Sequence, residues 1–197
     1  MRVGIAAAGA GAGCLLPTPR LLSPSSQPRA RSPYQDIVID YTVAAGNVTF
    51  TLTCSPQAIA SPPPLAWCAF GLNTPGKGTG MAPANIWWLG VDNTTGLANV
   101  VEDRIITVAA LPPCAATQLT STSAASYTGG VLSATFTRPL AVAPALQAQG
   151  YVSIVDAPMA MVAAIGGGAR GAGGPCSAGY VEHYGAFHNI WLDFAAT

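Results

Sequence analysis

Residues 37–54 have the sequence IVIDYTVAAGNVTFTLTC, in which two runs rich in β-branched and aromatic residues flank AAGN at 44–47. Val, Ile, Thr, Tyr and Phe favour the extended backbone of a half-buried strand. Gly46 and Asn47 accept the positive φ angles of a tight turn. This stretch therefore predicts a β-hairpin with strands at 37–43 and 48–54.

The rest of the body continues as short apolar runs between turn residues. SPPP at 61–64 and the glycine-rich segment 166–174 are predicted as loops. In the run at 131–137, Leu132, Ala134 and Phe136 alternate with Ser and Thr, which predicts one core-facing side. Further strands are predicted at 65–72, 86–91, 104–109, 151–155, 159–165 and 190–194. No segment has a sustained helical period, so the pattern indicates an all-β sandwich or barrel.

Charge is scarce in this chain and unevenly distributed. Charged residues make up 8% of the 197 residues, against roughly 25% in an average soluble domain. Residues 1–33 contain four arginines and no acidic residue, whereas residues 34–197 contain 4 basic and 8 acidic residues. A body with so few cations cannot follow a phosphate backbone, so nucleic-acid binding is excluded.

The change of composition near residue 34 predicts two parts, a leader at 1–33 and one domain at 34–197. Residues 3–16 are apolar and follow Arg2, which is the layout of a weak secretory signal. The Pro, Ser and Arg residues of 17–33 fit a plastid-type transit segment as the alternative. No window reaches about 18 uninterrupted apolar residues, so no transmembrane segment is predicted. We expect a secreted or lumenal protein.

Five cysteines agree with that compartment. Cys14 lies in the leader, and Cys54, Cys68, Cys114 and Cys176 form an even set whose spacing matches no zinc motif. Two disulfides are predicted, with all three pairings open, and four buried thiols are the alternative. The triplets NVT at 47–49 and NTT at 93–95 also predict N-glycosylation.

Catalytic motifs are absent from the sequence. With two histidines and no Gly-x-Ser-x-Gly, no nucleophile and base are evident. The glycine-rich segment lacks the Lys-Ser/Thr ending of a phosphate-binding loop, and no spacing fixes a carboxylate pair across a cleft. No enzymatic site is therefore predicted.

A methionine and a histidine near opposite ends of the domain stand out. Met81 follows the loop GKGTG at 76–80, and His183 precedes the aromatic run that leads to the last predicted strand. A thioether and an imidazole form the axial ligand pair of some electron-transfer haems. From the residue types alone, a core methionine and a hydrogen-bonded surface histidine are the more common interpretation.

Several motifs along the domain occur in one characteristic order. They are WCAFGLN at 67–73, GM at 80–81 with IWW at 86–88, DR at 103–104, FTRPL at 136–140, and HYGAF at 183–187 with LDF at 192–194. This series resembles the DOMON family, which includes the cytochrome domain of cellobiose dehydrogenase, plant auxin-responsive DOMON proteins and extracellular modules of transmembrane ferric reductases. The resemblance covers nearly all of residues 34–197.

The resemblance implies an immunoglobulin-like antiparallel β-sandwich. It also implies haem b held by Met81 and His183, which match the family's ligand positions, and a redox partner protein or membrane reductase. The absence of Cys-x-x-Cys-His excludes covalent c-type attachment. Because other relatives are thought to bind sugars, a haem-free carbohydrate-binding or adhesion module is the alternative.

Three further residues enter the predicted site. His188 is a rival to His183, although alternation from Leu192 predicts it on the core face of the last strand. The four tryptophans are expected in the core or a pocket wall, with one or two lining the ligand site: Trp67, Trp87, Trp88 and Trp191. Among them, Trp67 is expected to line the cofactor. Arg138 is expected either to pair with a haem propionate or to form a structural salt bridge with an acid such as Asp103.

Overall fold

The computed structural model of the protein describes residues 29–31, 37–55, 65–75, 82–92, 95–107, 114–167 and 183–194. These residues form strands with one short helix. The elements are β1 Arg29–Arg31, β2 Ile37–Ala44, β3 Asn47–Cys54, β4 Leu65–Asn73, β5 Ala84–Gly90, β6 Glu102–Ile106, β7 Ser121–Thr128, β8 Val131–Pro139, α1 Pro144–Gln147, β9 Pro158–Gly167 and β10 His183–Asp193.

The strands form two five-stranded antiparallel sheets. Sheet A has the order β1-β2-β3-β8-β7, and sheet B has the order β10-β9-β4-β5-β6. In sheet A, β3 pairs with the later strand β8, and in sheet B, β4 pairs with the later strand β9. Each sheet therefore combines strands from distant parts of the chain. The predicted all-β, two-sheet architecture is confirmed.

The predicted hairpin joins β2 to β3. Ala44 pairs with Asn47, so the turn consists of two residues. Positive φ angles occur at Ala45 (49°) and Gly46 (76°), not at Asn47. Asn47 is instead the first residue of β3, and its Nδ2 donates to the carbonyl of Ala45 at 3.2 Å. Both positive φ angles suit the twist of a two-residue hairpin.

The core lies between the two sheets and is rich in aromatic rings. Phe50 of sheet A contacts Phe70 and Trp87 of sheet B, with ring centroids 5.1 and 5.2 Å apart. The predicted core side of β8 is confirmed, because Leu132, Ala134 and Phe136 are all buried. On the opposite side of sheet A, hydroxyl groups pair across strands, as between Oγ1 of Thr49 and Oγ1 of Thr137 at 2.8 Å.

A disulfide joins the sheets. Cys54, the last residue of β3, is bonded to Cys68 in β4, which selects one of the pairings that the sequence left open. Cys114 is also disulfide-bonded. The predicted use of cysteines in disulfides is confirmed for Cys54 and Cys68.

Four elements differ from the sequence prediction. The segment 151–155, predicted as a strand, is irregular although Tyr151, Val152 and Ile154 are buried. Its backbone groups form hydrogen bonds outside the sheets. The Val152 carbonyl accepts from the side chain of Arg138, and the Ile154 amide donates to the carbonyl of Leu140. In addition, β7 was not predicted, β10 begins at His183 rather than at residue 190, and β1 lies within the predicted leader.

Candidate functional site

Sheet B is apolar on both sides. In β4 the side chains of Cys68, Phe70 and Leu72 belong to the core between the sheets. Because neighbouring residues of a strand face opposite ways, Trp67 and Ala69 face away from sheet A. They belong to a second buried cluster, here termed the outer face of sheet B, formed by Trp67, Ala69, Ala84, Ile86, Trp88, Ile106 and Val162.

Two tryptophans form the centre of this outer face. The rings of Trp67 and Trp88 are stacked, with centroids 3.9 Å apart and an interplanar angle of 22°. The guanidinium of Arg104 lies 5.1 Å from the Trp88 ring and donates to Glu102 at 2.8 Å. Glu102 and Arg104 are almost fully buried. A buried ion pair therefore borders the apolar surface on its β6 side.

A glycine makes room for the Trp67 ring. A Cβ atom on Gly166 would lie 2.2–2.4 Å from Cε2, Nε1 and Cζ2 of Trp67. The indole therefore packs directly on the backbone of β9, where any larger residue would displace it. Gly166 was predicted as the start of a loop, and the structure instead places it in β9, paired with Trp67.

His183 and His188 are both placed by the backbone register of β10. His183 pairs with Gly166, so one row crosses the sheet from His183 through Gly166 to Trp67. His188 falls in a bulge between Phe187 and Ile190, where β10 has one residue more than β9. The bulge interrupts the alternation from Leu192, so the prediction that His188 lies on the core face loses its basis.

Met81 lies outside the described residues. Ala82, the next residue along the chain, packs against the outer face of sheet B, and Ala84 at the start of β5 belongs to it. The chain therefore enters β5 from this side of the sheet. The position of the Met81 thioether stays a prediction.

Arg138 lies between the sheets, not on the outer face of sheet B. Its Nη1 donates to Oδ1 of Asn85 at 3.0 Å, and its Nη2 to the carbonyl of Val152 at 2.7 Å. Its guanidinium also lies 5.1 Å from the ring of Trp87. Burial lowers the pKa of Arg138 to about 10, and the charge of Asp103 opposes that shift. These are the contacts of a core residue, and a propionate contact stays a prediction.

Asp103 accepts hydrogen bonds from Trp87 and from the segment that precedes β7. Its carboxylate accepts from the indole of Trp87 at 3.0 Å and from the amides of Leu119 and Thr120 at 2.7 and 2.8 Å. The hydroxyl of Thr120 is a further donor. A buried carboxylate with several donors stabilises the strandless segment that precedes β7.

Sequence reasoning missed Gly166 and the Glu102–Arg104 pair as parts of this surface, whereas Trp88 was among the tryptophans expected in the core or a pocket wall. The sequence carries a signal for Trp88, because residues 86–89 are an apolar run without alternation, and the structure buries every residue of β5. Continuous rather than alternating burial is typical of a strand covered on both sides. Trp191, expected in the core or a pocket wall, is 54% exposed, which corrects that prediction.

Two solved structures that are similar in fold to this chain are cytochrome domains. The cytochrome b domain of pyranose dehydrogenase from Coprinopsis cinerea matches with a TM-score of 0.61 at 15% identity, covering 86% of this chain and 83% of that one. The cytochrome domain of Myriococcum thermophilum cellobiose dehydrogenase matches with a TM-score of 0.54 at 15% identity, covering 80% and 76%. This chain has the cytochrome b domain fold.

The fold predicted from the motif series is thus confirmed, since a cellobiose dehydrogenase cytochrome domain is among the structural matches. No protein-family model matches the chain, and no curated protein matches it. Within the described ranges, no helix has the length and apolar character needed to cross a membrane.

Proposed function

We propose that this cytochrome b fold is a haem b-binding electron-transfer domain, with the haem against the outer face of sheet B. The observation that supports this most directly is the second apolar surface itself. A two-sheet sandwich needs only one buried side per sheet. Trp67, Ile86 and Trp88 form a second apolar cluster on the side away from sheet A, and this cluster supports contact with an apolar group.

The residues of this surface suit a haem. A haem is a flat apolar ring with two carboxylates, and the stacked rings of Trp67 and Trp88 offer apolar area bordered by small residues. Ala69 pairs with Ala164 across β4 and β9, so the middle of the surface carries short side chains. The indole Nε1 of Trp67 is buried and has no hydrogen-bond partner, so it is a donor that a bound group could use.

Met81 and His183 are the proposed axial ligands, with His188 as the rival. The register supports His183, because its row leads through Gly166 to Trp67. The packing of Ala82 on the same surface supports Met81, its chain neighbour. A haem b with both axial positions filled supplies reversible uptake and release of one electron and leaves no site for a substrate. The domain would then relay electrons rather than catalyse a reaction.

The surroundings of such a relay follow from the chain. The Cys54–Cys68 disulfide suits an oxidising compartment, which supports secretion or a lumenal location. Residues 34–197 carry 4 basic and 8 acidic residues. An acidic domain associates fastest with a basic partner, so a redox protein or membrane reductase with a basic docking surface is the expected partner.

Absorption spectroscopy of the full chain, expressed with haem available, tests the proposal. We expect a low-spin spectrum with a sharp α band on reduction. Met81→Leu and His183→Ala should abolish it, whereas Met159→Leu, which changes a methionine of the core between the sheets, should preserve it. Loss in His188→Ala but not in His183→Ala would assign the rival ligand. Wild-type protein that takes up no haem would refute the function.

The carbohydrate-binding alternative has one observation in its favour. Trp191 on the edge strand β10 is 54% exposed, and exposed indole rings stack on sugars. Haem-free protein should then bind glycans on an array, and Trp191→Ala should remove the binding. Haem binding with no glycan signal would exclude this alternative.

A further inference from the structure

The indole N–H of Trp67 is a buried hydrogen-bond donor on the outer face of sheet B. Trp67 is 5% exposed, and its Nε1 is buried with no acceptor within hydrogen-bond distance. The neighbouring Trp87, on the core side, donates its Nε1 to Oδ1 of Asp103 at 3.0 Å. Buried indole N–H groups usually have a partner, because leaving one without an acceptor destabilises the protein.

The position of this N–H is set by two contacts. One side of the Trp67 ring is stacked on Trp88 at 3.9 Å. The edge that bears Nε1 packs on Gly166, where a Cβ would lie 2.3 Å from that nitrogen. Gly166 pairs with His183, so the donor lies in the row of the proposed axial histidine. Packing on both sides holds the donor in place before any ligand binds.

We propose that the Trp67 indole N–H donates a hydrogen bond to a carboxylate of the bound group, a propionate of the haem. This inference rests on the proposed haem function and adds the residue that orients the ring. Carboxylate oxygens are the hydrogen-bond acceptors that a haem offers at its periphery, and a charged acceptor forms the stronger bond.

The charges on the outer face of sheet B favour the β9 side over the β6 side as the place for a carboxylate of the bound group. Arg104 borders the surface on the β6 side, but it is paired with Glu102 at 2.8 Å. The Glu102 carboxylate would repel a second carboxylate brought beside it. The Trp67 donor lies on the β9 side of the stack, and its Nε1 has no hydrogen-bond partner. Trp67 would therefore hold a carboxylate of the bound group on the β9 side of the stack.

Comparison of haem with haem dimethyl ester, in which both carboxylates are masked, tests the hydrogen bond. In the wild type, esterification should weaken binding by about tenfold, the loss expected for a hydrogen bond to a charged group. Trp67→Phe keeps an aromatic ring but removes the donor, so it should weaken haem binding by about tenfold and bind haem and diester alike. Trp88→Phe, the other ring of the stack, is the matched control and should keep the preference for haem.

The outcomes separate the two proposals. Equal preference for haem over diester in the wild type and in Trp67→Phe would overturn the role of Trp67 and leave the haem function intact. Wild-type protein that binds neither compound would overturn both. If Trp67→Phe fails to fold, the Trp67 indole N–H resonance of the reduced wild type decides. It should move downfield with haem but not with the diester, and equal positions would contradict the hydrogen bond.

Discussion

Gly166→Ala is the most direct perturbation of the outer face of sheet B. The new Cβ would lie 2.2, 2.3 and 2.4 Å from three atoms of the Trp67 ring. The ring has little room to retreat, because Trp88 is stacked on its other side at 3.9 Å. Either the two tryptophans or the backbone of β9 must move. The substitution should therefore destabilise the fold and distort the proposed haem site together.

The magnitude follows from overpacking. Inserting a methyl group into a well-packed site costs about 1–3 kcal/mol. Replacing Gly by Ala regains about 0.4–1 kcal/mol, since the unfolded chain loses entropy. We expect a net loss of about 1–2 kcal/mol in the free energy of unfolding, or about 2–8 °C in Tm for a domain of this size.

Denaturant unfolding of the haem-free protein, followed by circular dichroism, measures this loss. Trp67→Ala serves as the second arm of a double-mutant cycle, because it removes the ring that the methyl group meets. In the Trp67→Ala background, Gly166→Ala should be neutral or stabilising. If Gly166→Ala were as destabilising without the ring as with it, the reasoning from the Gly166–Trp67 contact would be refuted.

Three further perturbations test the packing. Glu102→Gln should lower the unfolding free energy by about 3–5 kcal/mol in denaturant titrations, because it leaves the buried Arg104 charge uncompensated; an effect as small as that of Asp156→Asn, at an exposed position, would contradict a buried pair. Cys54→Ser combined with Cys68→Ser should cost about 3 kcal/mol, since the bond closes a short loop between the sheets, and an unchanged Tm would count against it. Phe136→Ala should cost about 3–5 kcal/mol, because its ring is fully buried among other aromatic rings; a calorimetric loss below 1 kcal/mol would be inconsistent with that packing.

Strands with a local signature could be predicted from the sequence. The hairpin at 37–54 carries its own turn and period-2 pattern, and β8 alternates between Leu, Ala and Phe on one side and Ser and Thr on the other. In both cases neighbouring residues alone specify which side is buried. The buried side of these strands can therefore be predicted without knowing which strand pairs with them.

Other elements depend on partners far along the chain. β7 has a polar, mostly exposed sequence and is a strand because it pairs with β8. The segment 151–155 has the apolar residues of a strand but is irregular, and the side chain of Arg138 donates a hydrogen bond to the carbonyl of Val152. In β10, the bulge beside His188 shifts the register against β9. None of these effects is encoded in the local pattern.

The candidate site divides in the same way. The sequence by itself determined the β-sandwich class, the motif series and the candidate ligands Met81, His183 and His188, because those depend on residue type and order. Only the tertiary structure decided that Trp67 and Trp88 face away from the core while Trp87 faces into it. The physical reason is that β4 and β5 are apolar at nearly every position, so their composition has no period from which a side can be assigned. The side is decided by the pairing of β4 with β9 and of β5 with β6, together with the packing of one side against sheet A.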